Sequence, residues 1–152
     1  MNKKALFIVI LYFFLQSCGY GPIYTEDKNV NLKIDIKNIS GDNDINNLVS
    51  TQIRKYSNLA AKKSISLNIK SEYTKNVLSK NKEGKITNYL IKSRVEFIIV
   101  NSEVGETYVF EEETKAASMD NQFEFKKYEN TIKSNFINSA IEQFIMKISS
   151  IQ

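Results

Sequence analysis

With 152 residues, one cysteine and no histidine, the chain can form a single packed domain but lacks the parts of Ser-His-Asp and Cys-His catalysis and of most zinc sites. Its 21 basic and 17 acidic residues give a formal charge of +4, yet Lys3 and Lys4 lie in a leader-like start. The remainder is close to neutral and shows no basic stripe of the kind that binds nucleic acid.

From the amino terminus, Met1-Asn2-Lys3-Lys4 is a short positive segment, and an unbroken apolar run follows from Ala5 to Phe14 before Leu15-Gln16-Ser17-Cys18. This is the layout of a secretory signal. The run is shorter than the roughly 20 apolar residues that a permanent transmembrane helix needs. The cysteine stands one residue after a serine and three after a leucine, which resembles the lipobox of bacterial lipoproteins. That resemblance implies cleavage before Cys18, a diacylglycerol on its sulfur and an acyl chain on the new amino terminus. Gly19 follows where an aspartate would imply retention in the inner membrane, so the implied location is the outer membrane, on its periplasmic face. Each buried methylene contributes about 0.8 kcal/mol, and two or more chains together anchor stably. With Cys18 acylated no thiol is left for a disulfide, and the fold must stand on packing. The expected organisation is a signal peptide over 1–17, a lipidated tether over 18–29 and one domain over 30–152.

The pattern from Val30 to Lys37 alternates strictly, with Val30, Leu32, Ile34 and Ile36 on one face, and predicts a half-buried strand. Asn38 to Gly41 turns the chain, and Asp42 or Asp44 can cap a helix carrying Ile45, Leu48, Val49, Ile53 and Tyr56 to about Ser57. Ser64 to Tyr73 alternates again as a second strand, and polar, lysine-rich Thr74 to Lys85 reads as a connection. Ile86 to Val100 and Glu106 to Ala117 predict a long antiparallel hairpin turning over Asn101 to Gly105. From about Asp120 the period becomes helical, with Ile132, Phe136, Ala140, Phe144 and Ile148 at four-residue steps and Ile137, Ile141 and Ile145 beside them. The order β-α-β-β-β-α predicts an α+β fold, a four-stranded and mostly antiparallel sheet with both helices on one face.

Motifs with chemical meaning are few. Ser79 and Lys82 have the spacing of serine–lysine acylating enzymes without the supporting elements, so a solvated loop is expected there. Asp42, Asp44 and Asn46 open like a calcium loop, but Asn47 and Ile53 replace its glycine and its bidentate glutamate. Glu111 and Glu113 share a strand face at roughly 7 Å, a spacing that a carboxylate pair could use; solvated side chains are the commoner use. The five glycines are scattered and form no phosphate loop. The expectation is a protein that is not an enzyme and has no cofactor beyond the covalent lipid on Cys18.

The segment Cys18-Gly19-Tyr20-Gly21-Pro22-Ile23-Tyr24, followed by this order of elements, resembles the α-proteobacterial form of the lipopolysaccharide-assembly lipoprotein family LptE. The resemblance implies a lipoprotein that plugs an LptD-type outer-membrane β-barrel, helps it assemble and binds lipopolysaccharide on its way to the outer leaflet. Arginine occurs only at Arg54 and Arg94, whereas lysine is abundant throughout. Lys92 and Arg94 on one strand face, with Lys115 on the returning strand, are therefore the candidate contacts for the glycolipid's phosphates; Lys62 and Lys63 are weaker ones. The competing readings are solvated surface cations at these positions, an auxiliary lipoprotein of another envelope lipid-transport or assembly complex, and an envelope enzyme using Glu111 and Glu113.

Overall fold

The structure, a computed structural model, describes residues 32–100 and 105–150. The expected signal peptide, Cys18 and the tether over 18–29 lie outside the described residues, as do Val30 and most of the expected turn over Asn101 to Gly105. In chain order the elements are β1 (Leu32–Gly41), α1 (Asn43–Ile53) with a tighter 3-10 turn over Arg54–Tyr56, β2 (Lys63–Lys80), β3 (Ile86–Ile99), β4 (Thr107–Ala117) and α2 (Gln122–Ser150). The strands form one sheet in the order β1-β2-β3-β4. β1 and β2 pair in parallel, which needs a crossover that α1 supplies, and the other two pairings are antiparallel. This is the α+β architecture that the sequence predicts.

The helix boundaries follow from local chemistry. Asp42 caps α1 by accepting from the Ile45 backbone N–H at 2.9 Å, and Ile45, Val49 and Ile53 are buried at helical spacing. α1 ends at Ile53 rather than near Ser57, because the chain tightens over Arg54–Tyr56 and the Ser57 hydroxyl turns to accept from Ile34 N–H at 2.9 Å. Just before the cap, Gly41 sits at φ 109°, where a Cβ would stand 1.8 Å from the Ser71 carbonyl oxygen. Only glycine passes β2 so closely.

Two expectations are corrected. Asn38 to Gly41 is not a turn: after a register shift between Ile36 and Asn38, β1 continues to Gly41 in parallel pairing with Asn68 to Ser71. Thr74 to Lys85 is not a connection: β2 continues to Lys80, in register from Thr74 opposite Lys92 to Lys80 opposite Ile86, with shifts around Ser79. Only Asn81 to Lys85 turn, with the Asn81 side chain accepting from the Glu83 and Lys85 backbone N–H groups. Pairing with β3 satisfies this backbone, so strand structure here does not depend on apolar side chains.

Both helices cover the same face of the sheet. Phe97 and Phe144 stack with ring centres 4.6 Å apart, and Ile69, Val95, Ile137 and Ile141 are buried around them together with α1's Ile45 and Val49. All eight stripe positions expected on the terminal helix, from Ile132 to Ile148, are buried.

Candidate functional site

The apolar stripe of α2 continues toward its amino terminus at four-residue steps as Lys133, Glu129 and Phe125. Docking the helix therefore carries two charged side chains into the interface, where Glu129 is 5% and Lys133 3% exposed. A buried charge is tolerated only when partnered. Here Tyr73 Oη donates to Glu129 Oε1 at 2.5 Å, and Lys75 Nζ donates to Glu129 Oε2 at 3.0 Å. Lys133 Nζ donates to Asp44 Oδ2 at 2.8 Å, stands 3.6 Å from Asp42 Oδ1 and lies over the Tyr73 ring, 3.9 Å from its centre. The network ties β2, the capped start of α1 and the first half of α2 together.

Its electrostatics follow from these contacts. Burial pushes the Glu129 carboxyl up, but the hydrogen bonds from Tyr73 and Lys75 and the charges of Lys75 and Lys133 outweigh it, so the group sits below the usual glutamate range. Burial, then the hydrogen bond to Glu129, drive the Tyr73 phenol far above its ordinary value. The hydrogen bond and charge of Lys133 hold the Asp44 carboxyl down.

Beside this network, between the β2–β3 turn and the start of α2, opens a cleft of about 610 Å³. Ile86, Tyr89, Met119 and Phe125 line it with apolar surface, and Lys75, Lys85 and Lys126 with cations. The rings of Tyr89 and Phe125 lie 5.1 Å apart, and the Lys75 ammonium stands 5.6 and 5.0 Å from their centres, a cation–π arrangement. Asp120, bound by Lys85 at 2.5 Å, and Glu129 are the two carboxylates of the lining. Three lysines against two acids give the lining itself one excess positive charge, and Lys126, the lysine without a partner in the lining, stands 3.9 Å from Asp44 outside it.

The candidates from sequence lie elsewhere. Lys92, Arg94 and Lys115 share the face of β3 and β4 that no helix covers, with Lys92 opposite Glu113, Arg94 opposite Glu111 and Lys115 opposite Leu90. Lys92 is ion-paired with Glu113, and Arg94 with Glu96 and with Glu111, the last at 2.5 Å. Hydrogen bonding to Glu96 raises the Arg94 value further. A shallow hollow of about 280 Å³ there is lined by Glu72, Glu111, Glu112 and Glu113 against Lys92 and Arg94, so its charge is negative. Glu111 and Glu113 do share a face, as predicted, and serve as counterions of Arg94 and Lys92. Lys62 and Lys63 are exposed just before and at the start of β2, and the Ser79 hydroxyl is engaged by Thr87 and Asn88. Asp42 caps α1, Asp44 lies in its first turn, and both pair with Lys133.

The cleft residues were not singled out from sequence. A signal was present: Glu129 and Lys133 interrupt an otherwise apolar four-residue repeat, which places charge where the helix docks. Lys75 and Lys85 carried none, because lysine is abundant everywhere in this chain.

No protein-family model matches the chain, and no curated protein matches it. The solved structures do contain its fold, an α+β sheet with both helices on one face. Rare lipoprotein B from Shewanella oneidensis superposes with a TM-score of 0.54 at 11% identity, over 79% of this chain and 97% of that one. An uncharacterized lipoprotein B from Nitrosomonas europaea gives 0.53 at 17% identity, over 81% and 88%. At such identities the likeness is one of fold.

Proposed function

We propose that this protein is a lipid-anchored outer-membrane lipoprotein that binds lipopolysaccharide and plugs and helps assemble an LptD-type β-barrel, without covalent catalysis. The observation that carries the reading is the lysine-lined, part-apolar cleft beside the buried Glu129 network. An anionic amphiphile needs both halves of that lining: ammonium groups for its phosphates and an apolar surface for what adjoins them. The cationic cleft attracts such a ligand, whereas the acidic hollow on the uncovered sheet face repels it. That face, with its ladder of Lys92, Arg94, Glu111 and Glu113 and with Lys115 beyond, suits contact with the polar inner wall of a barrel. The lipobox at Cys18 and a fold like that of two bacterial lipoproteins support the envelope setting.

The test is recovery of the tagged, lipidated protein from outer membranes with mass spectrometry of what accompanies it. A near-stoichiometric large β-barrel of the lipopolysaccharide-export type is expected, and recovery of inner-membrane transporter subunits instead would move the protein to another lipid-transport complex. Co-purified lipopolysaccharide should fall about ten-fold in Lys85→Glu or Lys126→Glu protein, as losing one charge-assisted bond implies. Lys92→Glu and Arg94→Glu should lower recovery of the barrel while retaining the glycolipid.

A further inference from the structure

The edge formed by β4 has a definite hydrogen-bonding side. Ile99 N–H donates to the Glu106 carbonyl and Ser118 N–H to the Thr87 carbonyl, both at 2.8 Å, and the register between them is unbroken. In an antiparallel ladder the bonding direction alternates residue by residue. The even-numbered residues of β4 therefore bond to β3, and Val109, Glu111, Glu113 and Lys115 direct their backbone N–H and C=O groups outward, where no further strand lies among the described residues. Neither proline nor a bulge interrupts the strand, two of the devices by which edges are closed to pairing. Along this edge, on the helix side, runs a mainly polar groove of about 270 Å³, lined by Glu112, Ser139, Gln143 and Lys147 above the buried Phe110, Phe136 and Ala140. On the opposite face, Glu111 and Glu113 stand at the edge with Val109, which is 43% exposed.

We propose that the open edge of β4 is a strand-docking site for an extended polypeptide segment with basic residues at every second position. Added as a fifth strand, such a segment turns alternate side chains to opposite faces. One set lies over the polar groove beside Glu112; the other lies beside Glu111 and Glu113 and is best basic, since opposite charges across a pair stabilise it. The same glutamates select the occupant. Antiparallel pairing of two copies about Glu112 would set Glu111 against the second copy's Glu113, which is unfavourable. The tether sequence, with Glu26 and Asp27 against Lys28, lacks the complementary charge. A basic strand from another protein fits, and it docks whether or not the cleft binds glycolipid.

The experiment uses the full-length protein in detergent with two synthetic peptides, one alternating lysine and valine and one alternating glutamate and valine. The lysine peptide should bind and slow amide hydrogen exchange at Val109, Glu111, Glu113 and Lys115. Val109→Pro removes an outward N–H without removing a bond to β3, as edge strands tolerate, and should weaken binding at least about ten-fold. Protein carrying Glu111→Lys and Glu113→Lys should lose the lysine peptide and take the glutamate peptide instead, which also shows that it has folded. Equal affinity for the two peptides, no binding, protection elsewhere, or self-association through β4 would each overturn the proposal.

Discussion

The helix α2 meets the sheet in two chemically opposite ways along its length. Toward its carboxyl end Phe144, Ile141 and Ile137 pack on Phe97 and Val95 with no polar atom to satisfy, while toward its amino end Glu129 and Lys133 meet Tyr73, Lys75 and Asp44. The dry end gains by removing apolar area from water, about 25 cal/mol per Å². At the charged end, desolvation offsets most of what the ion pairs contribute. What the charged end gains is position: Lys75 is held by Glu129 against two aromatic rings, at the wall of a cleft lined by both cations and apolar side chains. The proposed binding cleft thus lies where the interface is least stabilising, and the hydrocarbon end holds the helix in place.

Truncation at the dry end should have the largest effect. Phe144→Ala removes a fully buried ring stacked on Phe97 and should lower unfolding free energy by about 3–5 kcal/mol in urea denaturation. A loss no greater than that of a surface substitution would erase the contrast between the two ends.

Glu129→Gln comes next. It keeps the shape but removes the carboxylate charge that pairs with Lys75, at a cost of about 1–3 kcal/mol. It should also change the pH dependence. The folded state holds the Glu129 carboxyl below its usual range, so in acid the unfolded chain takes up the proton first, and stability falls as pH drops from the ordinary glutamate range through the folded-state value. Asp44 is held down likewise and acts in the same direction. Wild-type protein should therefore lose stability on acidification more steeply than Glu129→Gln does; parallel curves would remove Glu129 from the account.

The smallest effect on stability belongs to the cleft's outermost cation. Lys85 and Asp120 pair with side chains 65% and 87% exposed, so Lys85→Ala should leave the melting temperature unchanged while weakening anionic amphiphile binding. A drop in melting temperature without a change in binding would make Lys85 structural instead.

Much of this was legible in the residues. Strict alternation places Leu32, Ile34, Leu67, Ile69, Val95 and Phe97 toward a core because side chains in a strand alternate between faces. The α2 stripe from Ile132 to Ile148 names its buried face for the corresponding helical reason. Thr74 to Lys80 was misread because its stability as strand lies in backbone bonds to β3, which leave no mark on composition. Lys92, Arg94 and Lys115 do share one face, but their carboxylate partners depend on register with β4, and register is a property of the pair.

The sequence by itself determined the element order and the inward faces and narrowed the cap of α1 to Asp42 or Asp44, since each depends on local geometry and periodicity within a few residues. Only the tertiary structure decided that Tyr73, Asp44, Glu129 and Lys133 form one network, that Lys75, Lys85 and Lys126 converge on a cleft, and that β4 is an open edge among the described residues. Those arrangements bring together groups separated by as many as 89 positions in the chain, and nothing local encodes which distant charge will answer a buried one.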